Sequence, residues 1–167
     1  MSFVNPYSCL GLFDVVTSAE GKCVIQSAAC SALGLMMDKY FRDNGLTVIN
    51  IVRRQGQVDI LKARGSPHIL NTAEESFAAD LKKACQELQP SHFLDAVGGE
   101  LTGTVLNAMP NNSTAVVYGL LSNEPCSNIS GTSLVFQGKT VTGFILNQFM
   151  AKVVGNGTIG DVVKKCT

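Results

Sequence analysis

Cys23-Val24-Ile25-Gln26-Ser27-Ala28-Ala29-Cys30-Ser31-Ala32-Leu33-Gly34 passes from an apolar run into a string of small residues and on into helical material. Cys23 to Ser27 is short and mostly apolar and reads as a buried strand. The helical pattern beyond it continues to about Asn44, where Asn44-Gly45 is a C-terminal stop signal. A strand that turns through small residues into a helix is the element with which dinucleotide-binding domains hold phosphate. Its usual spacing is G-x-G-x-x-G, and the three places here are Ala29, Ser31 and Gly34. The first place must allow a tight turn, the second must let backbone approach pyrophosphate, and the third must let helix pack on strand. Gly34 meets its requirement in full, Ala29 and Ser31 are small enough for theirs, and the Ser31 hydroxyl is a further donor toward phosphate. The candidate phosphate turn is therefore Ala29, Cys30, Ser31, Ala32, Leu33 and Gly34. Read by itself, the string fits a small-residue helix start packed for its own sake equally well.

Outward from that turn the chain alternates. Thr47 to Val52 is β-branched and almost wholly apolar, as a central strand covered on both faces should be. Pro67 to Asn71, His92 to Val97, Thr114 to Gly119 and Lys139 to Leu146 are further strand candidates. Helical patterns separate them at Gln57 to Arg64, at Ser76 to Leu88 and at Leu101 to Ala108; the second places Phe77, Leu81, Ala84, Cys85 and Leu88 on one face. Strands alternating with helices predict right-handed βαβ crossovers, hence a doubly wound α/β fold with a six-stranded parallel sheet and helices on both faces. The alternation fails from Leu121 to Gly138, which is polar, holds Pro125 and shows no clear helix. That segment is expected to be a loop-rich connection near a site, because ligands gather at the carboxyl ends of such strands. Three regions follow: a helical segment over residues 1–21 that packs on the sheet, the sheet domain over 22–150, and a helix and tail over 151–167.

The end of the second strand bears on the cofactor. Domains that bind NAD place an acidic residue there for the ribose 2′-hydroxyl. Arg53 and Arg54 stand there instead. A guanidinium attracts a 2′-phosphate and offers it charge-assisted hydrogen bonds worth about 1.5–3 kcal/mol each. The alternative is a pair of solvated surface arginines; the strand–turn–helix–strand context favours NADP(H). Asp95-Ala96-Val97-Gly98-Gly99 and Tyr118-Gly119-Leu120-Leu121 end the fourth and fifth strands, on the side where a nicotinamide ring would lie. Asp95 reads as a turn residue and Tyr118 as core, so neither is assigned catalysis.

Composition removes other classes. Thirteen basic and thirteen acidic residues give zero net charge, and no basic run offers the phosphate neutralisation that nucleic-acid binding needs. No window of eighteen uninterrupted apolar residues exists, so no membrane span is expected, and no secretory signal is visible. The six cysteines are dispersed without a CxxC, and the two histidines, His68 and His92, lie in different segments, so no metal site is predicted. Reduced thiols in a cytosolic protein are expected, with the mitochondrial matrix left open.

Taken together, Cys23 to Gly34, Val48 to Arg54, Asp95 to Gly103 and Val116 to Gly119 resemble the medium-chain dehydrogenase/reductase superfamily, in its zinc-independent, quinone-oxidoreductase-like branch. The likeness covers nearly the whole chain. It implies a Rossmann fold of strand order 3-2-1-4-5-6 that binds NADP(H), in a reductase passing hydride to an electrophilic quinone, enone or carbonyl. Carried onto this sequence, it implies Ala29 to Gly34 for the pyrophosphate, Arg53 and Arg54 for the 2′-phosphate, and Val97, Gly98, Gly119, Leu120 and Leu121 beside the nicotinamide. Phe144 and Ile145, at the end of the sixth strand, are added on the same ground. The resemblance also implies a homodimer through the sixth strands, residues 139–146. Family members carry a catalytic domain around the cofactor domain, so this chain alone is expected to bind cofactor without turnover. A non-enzymatic NADP(H)-binding or regulatory module stays open beside the enzyme reading. A Rossmann-like methyltransferase ranks low, because it would want an acidic residue in place of Arg53.

Overall fold

Alternation along the strands builds two apolar faces, and the helices divide between them. The computed structural model describes residues 4–155. Six strands, β1 (Cys23–Gln26), β2 (Thr47–Val52), β3 (His68–Asn71), β4 (His92–Asp95), β5 (Thr114–Val117) and β6 (Thr140–Gly143), form one sheet of order β3-β2-β1-β4-β5-β6. Every pairing is parallel, with Gln26 opposite Asn50 and Asp95 opposite Val117. This is the doubly wound arrangement and the strand order expected. Seven helices accompany the strands among the described residues: α1 (Val4–Ser18), α2 (Ala32–Asp43), α3 (Gln55–Ala63), α4 (Phe77–Leu88), α5 (Glu100–Ala108), α6 (Gly131–Val135) and α7 (Leu146–Gly155).

Side chains alternate across a strand, so Ile25, Ile49 and Phe93 share one face, where Leu81 and Cys85 of α4 and Val105 and Leu106 of α5 meet them. Val24, Val48, Leu94 and Val116 face the other way, onto Met37 and Phe41 of α2 and Cys9, Leu12 and Val16 of α1. The apolar residues of α1 thus share one cluster with this face of the sheet. The chain runs outward from β1 to β3, then returns to β4 on the other side of β1. That reversal puts the switch point of the sheet at the carboxyl ends of β1 and β4, where such sheets hold ligands.

Two expectations need correction. The Leu121 to Gly138 segment is not helix-free: α6 occupies five of its residues. Its signal is invisible in the periodicity because Leu134, Val135 and Phe136 are exposed, while the inward residue is the polar Ser133, bonded to Asn107 Oδ1 at 3.0 Å. The last strand is shorter than 139–146, ending at Gly143 with Leu146 already in α7. Phe144 and Ile145 thus lie between β6 and α7. Of the expected tail over 151–167, residues 156–167 lie outside the described residues, as do residues 1–3 of the first segment.

His92 gives the fold a pH dependence. It is buried in β4, with Nδ1 2.8 Å from Ser91 Oγ, and burial pushes its pKa below the ordinary 6.5. The folded protein therefore favours neutral imidazole, whereas the unfolded chain takes up a proton below about pH 6.5. The stabilisation is present above that unfolded value and is lost as pH falls through the lower folded one. Urea midpoints should fall between pH 7 and pH 5 by more in the unaltered chain than in His92→Gln.

Candidate functional site

The turn after β1 is built from backbone constraints. Ala28 takes a left-handed φ of 49°, a conformation that costs a non-glycine residue about 1–2 kcal/mol, and this residue makes the tight turn one position before Ala29. Ala29 is fully buried, and its N–H donates to Ile51 O at 3.3 Å. Ala29 therefore shapes the turn and has no donor left for a ligand. Ser31 caps α2: its hydroxyl accepts from Gly34 N–H at 3.0 Å, and its own N–H donates to Ala28 O at 2.9 Å. Leu35 N–H closes on Ser31 O at 2.9 Å. The N–H groups of Cys30, Ala32 and Leu33 have no hydrogen-bond partner among the described residues. Unpaired N–H groups at a helix N-terminus are an anion seat, and the helix dipole favours negative charge there. At Gly34 an added Cβ would lie 2.5 Å from Ala28 O and 2.7 Å from Ala29 O, so only glycine lets α2 approach the turn this closely. The turn fits a pyrophosphate.

The two arginines stand one strand away. Arg53 and Arg54 follow β2 directly, and Arg54 occupies the N-cap position of α3 without a side-chain cap bond. Arg53 N–H donates to Gln57 Oε1 at 3.1 Å, whereas neither guanidinium makes a hydrogen bond or ion pair among the described residues. Both are exposed. Two unengaged cations beside an anion seat, on adjacent strand ends, suit a ligand carrying more than one phosphate.

On the other side of β1 the loops after β4 and β5 meet. Leu121 N–H donates to Ala96 O at 3.1 Å and Ser122 N–H to Val97 O at 3.0 Å. Gly119 runs so close to the first loop that a Cβ there would lie 2.8 Å from Ala96 O. A cleft of about 630 Å³ opens beside the loops, lined by Val97, Gly98, Gly99, Glu100, Ser122 and Pro125 among others. Of the expected nicotinamide-side residues, Val97 and Gly98 line it; Leu120 and Leu121 are about two-thirds exposed, at 67% and 66%. The phosphate turn and the arginines lie outside this cleft. Phe144 packs over Gly11 of α1, with its ring 6.2 Å from that of Phe149, so its side chain belongs to the apolar cluster; Ile145 is exposed.

Asp95 is a support. Its Oδ1 accepts from Ser27 Oγ at 2.9 Å, Val97 N–H at 2.9 Å and Gly98 N–H at 3.2 Å, and Oδ2 accepts from Thr102 Oγ1 at 2.5 Å. A fully buried carboxylate engaged this way fixes the loop and joins the ends of β1 and β4. Tyr118 is largely buried, with a hydroxyl that has no hydrogen-bond partner among the described residues; burial, and after it the charge of Asp95, raises its pKa. A phenol held neutral in this way is poorly suited to give up a proton.

The motif does not reveal a second layer beneath the turn. Gln26 Nε2 donates to Gly34 O at 2.9 Å and to Asn50 Oδ1 at 2.6 Å, and Asn50 Nδ2 donates to Asp38 Oδ1 at 2.8 Å. Asp38 also accepts from Arg42 and Ser66. Burial works to raise the Asp38 pKa, but the bonds from Arg42, Ser66 and Asn50 outweigh it and hold the carboxyl below its usual range. The available signal was a polar residue at matching places in two apolar strand runs, Gln26 and Asn50.

Among the described residues no group of three or more His, Cys, Asp or Glu is placed to hold a metal ion, and no helix is long and apolar enough to cross a membrane. The sequence profile of the zinc-binding dehydrogenase family matches residues 32–156. The mitochondrial enoyl-[acyl-carrier-protein] reductase of Homo sapiens is 30% identical over 152 residues, which are 87% of this chain and 40% of that protein. A candidate NADPH:quinone reductase from Mesorhizobium loti superposes with a TM-score of 0.90 at 30% identity, over 98% of this chain and 47% of the other. The Etr1p complex with NADP and crotonyl-CoA, from a Candida tropicalis enzyme, superposes with a TM-score of 0.78 at 19% identity, over 96% and 47% of the two chains, and speaks for the fold alone. The chain spans less than half the length of these relatives. It belongs to the zinc-binding dehydrogenase family, in the quinone-oxidoreductase-like part of the medium-chain dehydrogenase/reductase superfamily, and is built as that family's nucleotide-binding domain.

Proposed function

We propose that the chain is the NADP(H)-binding domain of a zinc-independent reductase acting on an enone, quinone or related carbonyl. The observation that carries this reading is the pair of unengaged guanidinium groups, Arg53 and Arg54, at the strand end next to the unpaired N–H groups of Cys30, Ala32 and Leu33. Ala32 and Leu33 would hold the pyrophosphate through backbone, with Ala29 and Gly34 shaping the seat, and the arginines would hold the 2′-phosphate. Val97, Gly98, Gly119, Leu120 and Leu121 would border the nicotinamide ring, with Ile145 facing outward beyond β6. The bound dihydronicotinamide supplies a hydride; the protein's own part is to place the ring and substrate and to exclude water. The relatives, an enoyl-[acyl-carrier-protein] reductase and a candidate NADPH:quinone reductase, support an electrophilic carbon as acceptor. Titration of the chain with NADPH and NADH tests the reading, which requires the phosphorylated cofactor to bind more tightly.

A homodimer through β6 belongs to the same proposal. Among the described residues β6 pairs only with β5, leaving its outer edge unpaired, and Val135 and Phe136 just before it are 74% and 81% exposed. An open edge beside apolar side chains favours association with a second copy. Sedimentation at micromolar concentration should give a dimer; a monomer would remove this part. The reading also places the protein in a reducing compartment, cytosol or mitochondrial matrix, the second supported by the mitochondrial enoyl-[acyl-carrier-protein] reductase among the relatives.

A further inference from the structure

We infer that Asp38 is a positioning residue for discrimination at the adenosine ribose: through Asn50, Arg42 and Ser66 it holds the end of β2 and α3, with Arg53 and Arg54, in place against the phosphate turn. The inference rests on the NADP(H) reading.

Asp38 lies in α2, one turn beyond Gly34, with its side chain fully buried. A buried carboxylate costs several kcal/mol of desolvation unless its lone pairs are used, and here each oxygen receives two bonds. Oδ1 accepts from Asn50 Nδ2 at 2.8 Å and Arg42 Nε at 3.2 Å, and Oδ2 accepts from Ser66 Oγ at 2.7 Å and Arg42 Nη2 at 2.8 Å. Each partner leads to the arginines. Asn50 is in β2, three residues before Arg53. Ser66 follows α3, and Arg42 reaches on to Arg64 O and Gly65 O, both at 3.3 Å, at the far end of the helix that Arg54 opens. Nearer the seat the same elements are joined by Ala29 N–H to Ile51 O, by Cys30 Sγ to Gln57 O at 3.3 Å and by Gln26 Nε2, which bridges Gly34 O to Asn50 Oδ1, whereas Asp38 is the tie that reaches the rear of α3. Apolar packing is non-directional, whereas hydrogen bonds have fixed lengths and angles. A carboxylate that joins α2 to both β2 and the rear of α3 therefore sets the spacing between pyrophosphate seat and guanidinium pair. Bidentate contact depends on that spacing, because its geometry must fit both hydrogen bonds at once.

The test titrates NADPH and NADH into the unaltered chain, Asp38→Asn and Ser66→Ala, with thermal unfolding measured alongside. Asp38→Asn should lower the NADPH-to-NADH affinity ratio about tenfold, with NADH affinity little changed. Ser66→Ala, which removes one bond and leaves the charge paired, should lower it about threefold. A merely structural aspartate would lower the melting temperature of the folded variants and leave the ratio where it was; that result overturns the inference. Should Asp38→Asn fail to fold, Ser66→Ala and Asn50→Ser decide by the same ratio. No preference in the unaltered chain would instead overturn the cofactor reading itself, so the two failures are distinguishable.

Discussion

Arg53→Ala/Arg54→Ala should weaken NADPH binding by on the order of a hundredfold and leave NADH binding within about twofold. Two charge-assisted contacts at the lower end of their range, about 1.5 kcal/mol each, account for that factor. Among the described residues neither guanidinium is engaged, and Arg54 makes no side-chain cap bond on α3. The bond from Arg53 N–H to Gln57 Oε1 is a backbone bond and survives truncation. The melting temperature should therefore stay close to that of the unaltered chain, since exposed substitutions of this kind usually change stability by less than about 0.5 kcal/mol. Arg53→Lys/Arg54→Lys should recover only part of the lost affinity, because an ammonium supplies charge without the planar fork. Calorimetric titration with both cofactors reads each of these outcomes.

Gly34→Ala should damage both stability and binding. The new methyl would begin 2.5 Å from Ala28 O and 2.7 Å from Ala29 O, and these are backbone atoms of the turn itself, unable to swing aside as a side-chain tip can. Either α2 moves off β1 or the turn gives way; overpacking of this kind typically costs about 1–3 kcal/mol. Both routes disturb the seat: moving α2 shifts the N–H groups of Ala32 and Leu33, and moving the turn strains the bonds at Ser31 and Gln26. NADPH affinity should fall at least about tenfold. Gly56→Ala is the matched control. It lies in α3 with nothing within 4 Å of its added Cβ, so it should leave binding intact and match or exceed the parent's stability. Urea denaturation and NADPH titration of the pair separate a local clash from a general penalty for replacing glycine.

The fold was largely legible because its strands are short and apolar on both faces, while helices such as α4 show their inward positions at 3.6-residue spacing. Boundaries were less legible where two signals overlap. Phe144, Ile145 and Leu146 form an apolar run directly after β6, yet the chain leaves the sheet at Gly143 and Leu146 opens α7. The helix α6 was hidden because its inward residue is Ser133 and its apolar residues face solvent. Gly34 lies in the first turn of α2 and the two arginines follow β2 directly, places that strand length and crossover geometry fix. Spacing could not reveal that Ala28, not Ala29, takes the left-handed turn, or that Ala29 has its N–H engaged. Those details depend on which backbone atom lies above Ile51, a contact between strands distant in sequence. The Gln26–Asn50–Asp38 network was hidden for the same reason, since its members lie on three elements and acquire meaning only from the register of β1 on β2.

On the proposed reading, two adjacent strand ends make one site for an adenosine phosphorylated on both its 2′ and 5′ sides. Parallel titration of the unaltered chain with NADPH and NADH at low salt tests it most directly. The account predicts saturable binding of both, with NADPH tighter by on the order of a hundredfold, whereas equal affinities, or no binding of either, would contradict it.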